Sequence, residues 1–201
     1  MSEIERWETR YATPGYHFGT EPNAFLRSQA HLLRPGQTTL AVADGEGRNG
    51  VWLAEQGLDV LSIDFSPTAL GKARALAAAR GVPLRTEQTD INTWTWPTEA
   101  FDVIAGIFVQ FPSPQGQTRM FEGMNRALKR GGLLLLEGYG PKQLEYATGG
   151  PRELARFYTR ERLQAAFKDF TSLDIREYDT TISEGDAHVG MAALVDLVGR
   201  K

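Results

Sequence analysis

The apolar positions of this chain come in short blocks, and the spacing inside the blocks changes along the sequence. Thr38 to Ala43 is an apolar run of strand length, and Asp59 to Asp64 carries Val60, Leu61 and Ile63. Phe101 to Phe108 and Leu133 to Leu136 are nearly unbroken apolar runs. Runs without polar alternation describe strands covered on both faces. Between them the pattern turns helical. Val51 to Ala54 suits a helix that Gly57 ends. Ser66-Pro67 reads as an N-cap followed by Pro at the first helical position, and the Ala-rich Thr68 to Arg80 continues to a stop at Gly81. Met120, Met124 and Leu128 are spaced by four with Phe121 beside them, which predicts a helix closed by Gly131-Gly132. A brief strand is expected at Val82 to Arg85.

Strands alternating with helices predict an α/β fold built on a mainly parallel sheet. The last quarter departs from this rhythm. A helix over Arg160 to Phe167 is followed by strands at Leu173 to Tyr178 and Val189 to Val198, separated only by a Gly-containing loop. With no crossover helix between them, the two strands must run antiparallel. The first 35 residues are aromatic and irregular, except for a short helix opened by Pro22 with Phe25, Leu26, Leu32 and Leu33 as its apolar positions. Arg34-Pro35-Gly36 makes the turn that ends it.

Composition narrows the chemistry. The 201 residues suit one domain, and the absence of Cys excludes disulfides, thiolate metal sites and a cysteine nucleophile. The formal net charge of −3, without a basic stripe, argues against a nucleic-acid partner. No apolar run approaches the roughly 20 residues that span a bilayer. The start, Met1 to Trp7, lacks the features of a signal peptide, so a cytoplasmic location with no membrane partner is the expectation. His17, His31 and His188 are too scattered to suggest a metal-ligand set.

One motif carries a function. Gly45-x-Gly47-x-x-Gly50 follows the first strand, and Asp64 ends the second, nineteen residues beyond Gly45. Small residues let a turn approach a nucleotide, a helix start offers free N–H groups, and a distal carboxylate accepts hydrogen bonds from ribose hydroxyls. The chain leaves little room for the substrate domain of a dehydrogenase, so an NAD-dependent oxidoreductase is a minor alternative.

Beyond the motif, several separately placed blocks resemble the class I S-adenosylmethionine-dependent methyltransferases over about residues 38 to 199. Leu40 to Gly47 is similar to the family's first motif, Val60 to Ser66 to its ribose-binding block, and Thr89-Asp90-Ile91 to its adenine-side block. Phe101-Asp102-Val103-Ile104 and Leu128 to Leu133 are similar to the blocks around the fourth and fifth strands. Within that class, Tyr16 to Leu26 and Gly45-Glu46-Gly47-Arg48-Asn49 resemble the small bacterial tellurite-resistance and thiopurine-type methyltransferases. The resemblance implies a Rossmann-like α/β fold in three α/β/α layers. Its sheet would have seven strands, mostly parallel, with a C-terminal antiparallel strand pair. It also implies S-adenosyl-L-methionine as cofactor and a small-molecule acceptor. Residues 38–201 would form the cofactor core and residues 1–37 an aromatic lid, in one methyltransferase domain, as a monomer or a homodimer.

Site roles follow from the same resemblance. Gly45, Glu46, Gly47 and Asn49 would lie at the methionine end of the cofactor, Asp64 at the ribose, and Phe65, Asp90 and Ile91 around the adenine. Phe108 would stand near the reaction centre, and Tyr11, Tyr16 and Phe18 would form the lid, where aromatic faces attract a sulfonium. His188, Glu137 and Tyr16 form the catalytic set, with Tyr139 and His17 as further proton acceptors for an oxygen or nitrogen substrate. Arg48 and Arg160 are candidate anion binders. One departure stands out: the family usually has Asp or Glu where this chain has Ala41, and a small residue or Cys where it has Asp44. Weaker cofactor binding, partial compensation by Asp44, and a cofactor-binding protein without activity are all compatible with that change.

Overall fold

A computed structural model of the chain describes residues 3–185 and 188–201, apart from the side chains of Glu3 and His188. Seven strands form one sheet: β1 (Thr38–Val42), β2 (Asp59–Asp64), β3 (Arg85–Gln88), β4 (Phe101–Ile107), β5 (Leu128–Tyr139), β6 (Ser172–Glu184) and β7 (His188–Arg200). Their order across the sheet is β3-β2-β1-β4-β5-β7-β6. Pairs from β3 through β5 are parallel, and β7 runs antiparallel to both β5 and β6. The helices are α1 (Glu3–Tyr11), α2 (Ala24–Ser28), α3 (Arg48–Glu55), α4 (Pro67–Arg80), α5 (Pro114–Ala127), α6 (Gln143–Tyr146) and α7 (Arg160–Ala166). This is the expected Rossmann-like α/β/α arrangement.

Two apolar layers hold the sheet between helices. On one face Ile104, Leu134, Leu136, Val195 and Leu197 pack against Met120, Phe121 and Met124 of α5 and against Phe167. On the other, Ala41, Val103, Ala105, Leu133 and Leu135 meet Phe25 and Leu26 of α2 and Trp52 and Leu53 of α3. Parallel strands between two helical layers have no solvated face, which is why their sequences lack alternation.

Helix ends follow local chemistry. Ser66 Oγ accepts from Ala69 N at 3.0 Å, Pro67 opens α4, and Gly81 closes it at φ 68°. The Ser113-Pro114 pair starts α5 in the same way.

The structure departs from the sequence pattern in five places. Residues 3 to 11 form a helix, where Trp7 and Tyr11, one turn apart, stack with centroids 5.5 Å apart. The third strand is Arg85–Gln88, not Val82 to Arg85. Val82 and Leu84 pack beneath the neighbouring helices instead, and a polar strand serves because it lies at the sheet edge. Leu128 continues the spacing of four but has extended backbone, and it begins β5. Gly131-Gly132 lies within β5, where the register against β4 shifts between Phe101/Leu128 and Val103/Leu133. Finally, β6 and β7 are each 13 residues long, so most of the expected loop is hairpin.

Candidate active site

The site is built where β1, β2 and β4 end. After β1 the backbone enters the left-handed region at Ala43, Gly45 and Gly47 before α3 begins. The glycines of the motif have separate reasons. A Cβ on Gly45 would lie 2.8 Å from the Tyr11 hydroxyl, at the floor of a cleft. One on Gly47 would lie 2.5 Å from the Ala73 Cβ, so Gly47 lets α3 pack on α4. One on Gly50 would meet the Asp44 carboxylate at 2.3 Å.

Asp44 is a structural acid. Gly50 N donates to it at 3.1 Å and Ser62 Oγ at 2.9 Å, so it braces the first turn of α3 to β2. Burial pushes its carboxyl up to about 7, against the opposing pull of the Ser62 and Gly50 bonds. Asp64 is different, because its two oxygens face the turn. Gly45 N donates to Oδ2 and Ser66 N to Oδ1, both at 2.9 Å. Each carboxylate oxygen has a second lone pair for a ligand hydroxyl. Burial raises Asp64 to about 6, and the Ser66 and Gly45 N–H groups hold it from rising further.

An open cleft lies beside these groups. Its walls include Trp7, Tyr11, Phe18, Phe65, Phe108 and Phe111, with Arg48, Asn49, Asp44 and Asp64 as polar groups. Phe65 and Phe111 meet edge to face at 6.1 Å. Phe108 sits at φ 57°, a costly conformation for a bulky residue. Its N–H donates to Glu137 O at 2.8 Å, and its ring lies 4.7 Å from that of Tyr139.

The structure thus brings Gly45, Asn49, Asp64, Phe65, Phe108 and Phe18 around one cleft, and directs other expected residues elsewhere. The Glu46 carboxylate pairs with Lys72 at 2.7 Å and accepts from His17 N at 2.6 Å. Lys72 also donates to Thr13 O and Gly15 O, so this pair fastens the N-terminal segment to α4. Tyr16 is held in the same place, with its hydroxyl donating to Lys72 O at 3.2 Å and its ring against Val51, Leu76 and Ala77. Asp90 accepts from Asn92 N at 2.9 Å in a local turn, and Ile91 is buried in the main core.

Glu137 does not line this cleft. It is 1% exposed and receives the Asn23 side-chain amide. It stands opposite Asp196 in the β5–β7 register. Burial, the Asp196 charge and Glu184 push its carboxyl well above the usual range. Asp196 Oδ1 is buried without a donor among the described groups, which fits a single proton shared with Glu137. Burial beside a second carboxylate thus favours the protonated form of Glu137. The backbone of His188 pairs with Glu184, but its side chain lies outside the described residues. Arg160 donates to Ile175 O at 2.7 Å, away from the cleft. Among the described residues no three His, Asp or Glu groups are placed to hold a metal ion.

Sequence reasoning missed Trp7, Phe111, Asn23 and Glu184. Asn23 had a legible signal: an Asn before an apolar helix start is an N-cap, and its side chain accepts from Leu26 N at 2.9 Å. Glu184 had none. It joins Arg48 at 2.7 Å, Asn23 Nδ2 at 3.0 Å and Ala24 N at 3.1 Å, all distant in sequence.

Residues 40–132 match the family described as a methyltransferase domain. The fold is similar to that of a protein solved in work on the conversion of a disulfide bond into a thioacetal group during echinomycin biosynthesis. That likeness has a TM-score of 0.76 at 18% identity and covers 100% of this chain and 93% of the other. TehB from Haemophilus influenzae is similar with a TM-score of 0.71 at 17% identity, over 98% of this chain and 66% of that one. At the sequence level, hemagglutinin 1 of Eikenella corrodens is 33% identical over 76 residues, which are 38% of this chain and 25% of that protein. The chain spans a quarter to a half of the length of the curated relatives it matches. The fold is the Rossmann-like α/β/α fold of methyltransferases.

Proposed function

We propose that this protein is an S-adenosylmethionine-dependent methyltransferase acting on a small-molecule acceptor. The observation that carries this reading is the Asp64 carboxylate at the end of β2, bonded to Gly45 N inside an aromatic cleft. The cleft residues from Ala41 to Phe111 fall within the segment matching the methyltransferase domain.

The residues fit the cofactor. Asp64 would accept the two ribose hydroxyls, Phe65 and Phe111 would enclose the adenine, and the Gly45 turn would pass under the methionine part. When bound, S-adenosylmethionine supplies an electrophilic methyl group on a sulfonium. Trp7, Tyr11 and Phe18 would shield the bound cofactor from water and present aromatic faces to that positive charge. We assign Asp44 to bracing Gly50 and Ser62 rather than to replacing the carboxylate absent at Ala41. Cofactor binding thus rests on Asp64, the backbone turn and the aromatic walls.

The motif resemblance to the small tellurite-resistance and thiopurine-type enzymes supports a small acceptor. Calorimetric titration with S-adenosylmethionine, S-adenosylhomocysteine and NAD tests the reading. It expects binding of the first two and none of NAD; binding of NAD alone would overturn it.

A further inference from the structure

Arg48 is the first residue of α3, and its side chain is 7% exposed although it lines the cleft. Among the described residues it is the one Lys or Arg in the cleft wall, where the carboxylates are Asp44 and Asp64. Its ion-pair partner is Glu184, at the far end of β6. That single bond at 2.7 Å engages one of the five N–H donors of the guanidinium. A buried guanidinium is built for two-point contact with a carboxylate or other oxyanion.

The other half of the pair is held differently. Glu184 also receives Asn23 Nδ2 and Ala24 N, so it keeps hydrogen-bonded partners when Arg48 turns away. Arg48 has no second hydrogen-bonded partner among the described residues, only the charge of Asp44 nearby, so its other N–H donors are open to an incoming anion. The exchange is therefore one-sided: an incoming anion replaces Glu184, whose Oε1 stays bonded to Asn23 and Ala24. Phe108, Phe18 and Asn49 stand in the same wall.

We infer that Arg48 docks the negative charge of the methyl acceptor, so that the substrate class is a small molecule ionised at neutral pH, with Glu184 as its exchangeable counter-ion. This rests on the methyltransferase reading above. The chemistry agrees with the site. The acceptor's lone pair forms the new bond to the methyl carbon, and the carbon–sulfur bond breaks with its electron pair left on sulfur. An acceptor that reacts through its ionised atom has no proton to lose. Such an acceptor needs no proton acceptor in the cleft wall. Union of an anion with a cationic methyl donor leaves no net charge in the aromatic cleft.

The test uses the full chain. S-adenosylhomocysteine is titrated first, by calorimetry; no binding would remove the methyltransferase reading itself. Protein saturated with it is then titrated with benzoate, benzamide and benzylamine as unreactive probes. The expected result is benzoate binding at least tenfold tighter than the other two. Arg48→Gln should abolish that preference while leaving S-adenosylhomocysteine affinity within threefold. Glu184→Gln should tighten benzoate, and it keeps the proposal testable if the Arg48 variant fails to fold. Equal binding of benzoate and benzamide would overturn the proposal. So would a loss in Arg48→Gln that falls mainly on S-adenosylhomocysteine, which would assign the arginine to the cofactor's carboxylate.

Discussion

Replacing Asp44 by Asn separates a structural acid from a catalytic one. In the native chain Asp44 is buried, bonded to Gly50 N and Ser62 Oγ, with its carboxyl raised from 3.8 to about 7. A raised carboxyl means that the folded state binds more protons than the unfolded state between those two values. Native stability from this group is therefore highest at low pH and falls as pH rises through about 7. At about 1.4 kcal/mol for each tenfold change in proton affinity, the ionised Asp44 costs the fold about 4 kcal/mol above that window. Asn has nearly the same shape. Its carbonyl accepts from Gly50 N, and its amide donates to Ser62 Oγ, which rotates to accept. The cost of charging disappears while the bonds remain. Urea unfolding of both proteins at pH 5, 7 and 9 measures this. Relative to the native protein, Asp44→Asn should gain stability as pH rises, by about 2–4 kcal/mol across the range. Its affinity for S-adenosylmethionine should stay within threefold. A stability difference independent of pH would refute the linkage argument. A large loss of cofactor affinity would mean that Asp44 does compensate for Ala41.

Three other outcomes follow from the same contacts. Gly47→Ala places a methyl 2.5 Å from the Ala73 Cβ at φ 87° and should cost about 2–4 kcal/mol in denaturant unfolding; a neutral effect would show that α3 and α4 are not packed this closely. Glu137→Gln keeps a neutral donor toward Asp196 and should stay within about 1 kcal/mol of the native protein at pH 7, whereas Glu137→Ala should lose about 1–3 kcal/mol; the reverse order would show that Glu137 is ionised. Lys72→Met removes the bonds to Glu46, Thr13 and Gly15. Hydrogen exchange should quicken over residues 13–19 and not in β1; unchanged rates there would mean that the N-terminal segment is fastened elsewhere.

The sheet was legible because burial on both faces leaves a mark in sequence. The runs at Thr38, Asp59 and Phe101 became strands within a residue or two of their expected limits. The edge strand β3 left no such mark, since Arg85 to Gln88 is polar and paired on one side only. Leu128 misled because one apolar residue serves equally as the end of a helical stripe and the start of a strand. In the candidate site, the positions of Gly45 and Asp64 were legible because a turn and a strand end fix them. The direction of a long side chain was not. Glu46 and Tyr16 follow Lys72, and Glu137 follows Asp196, partners 26, 56 and 59 positions away that only the folded chain brings near.

Calorimetric titration of S-adenosylmethionine into the native protein and Asp64→Ala tests the central claim most directly. The native affinity should be level above pH 7 and weaken as pH falls through about 6, because ribose hydroxyls donate to the ionised carboxylate. Asp64→Ala should lose about 1.5–3 kcal/mol of binding free energy and this pH dependence with it. Native-level affinity in Asp64→Ala, or no binding of S-adenosylmethionine to the native protein, would contradict the account.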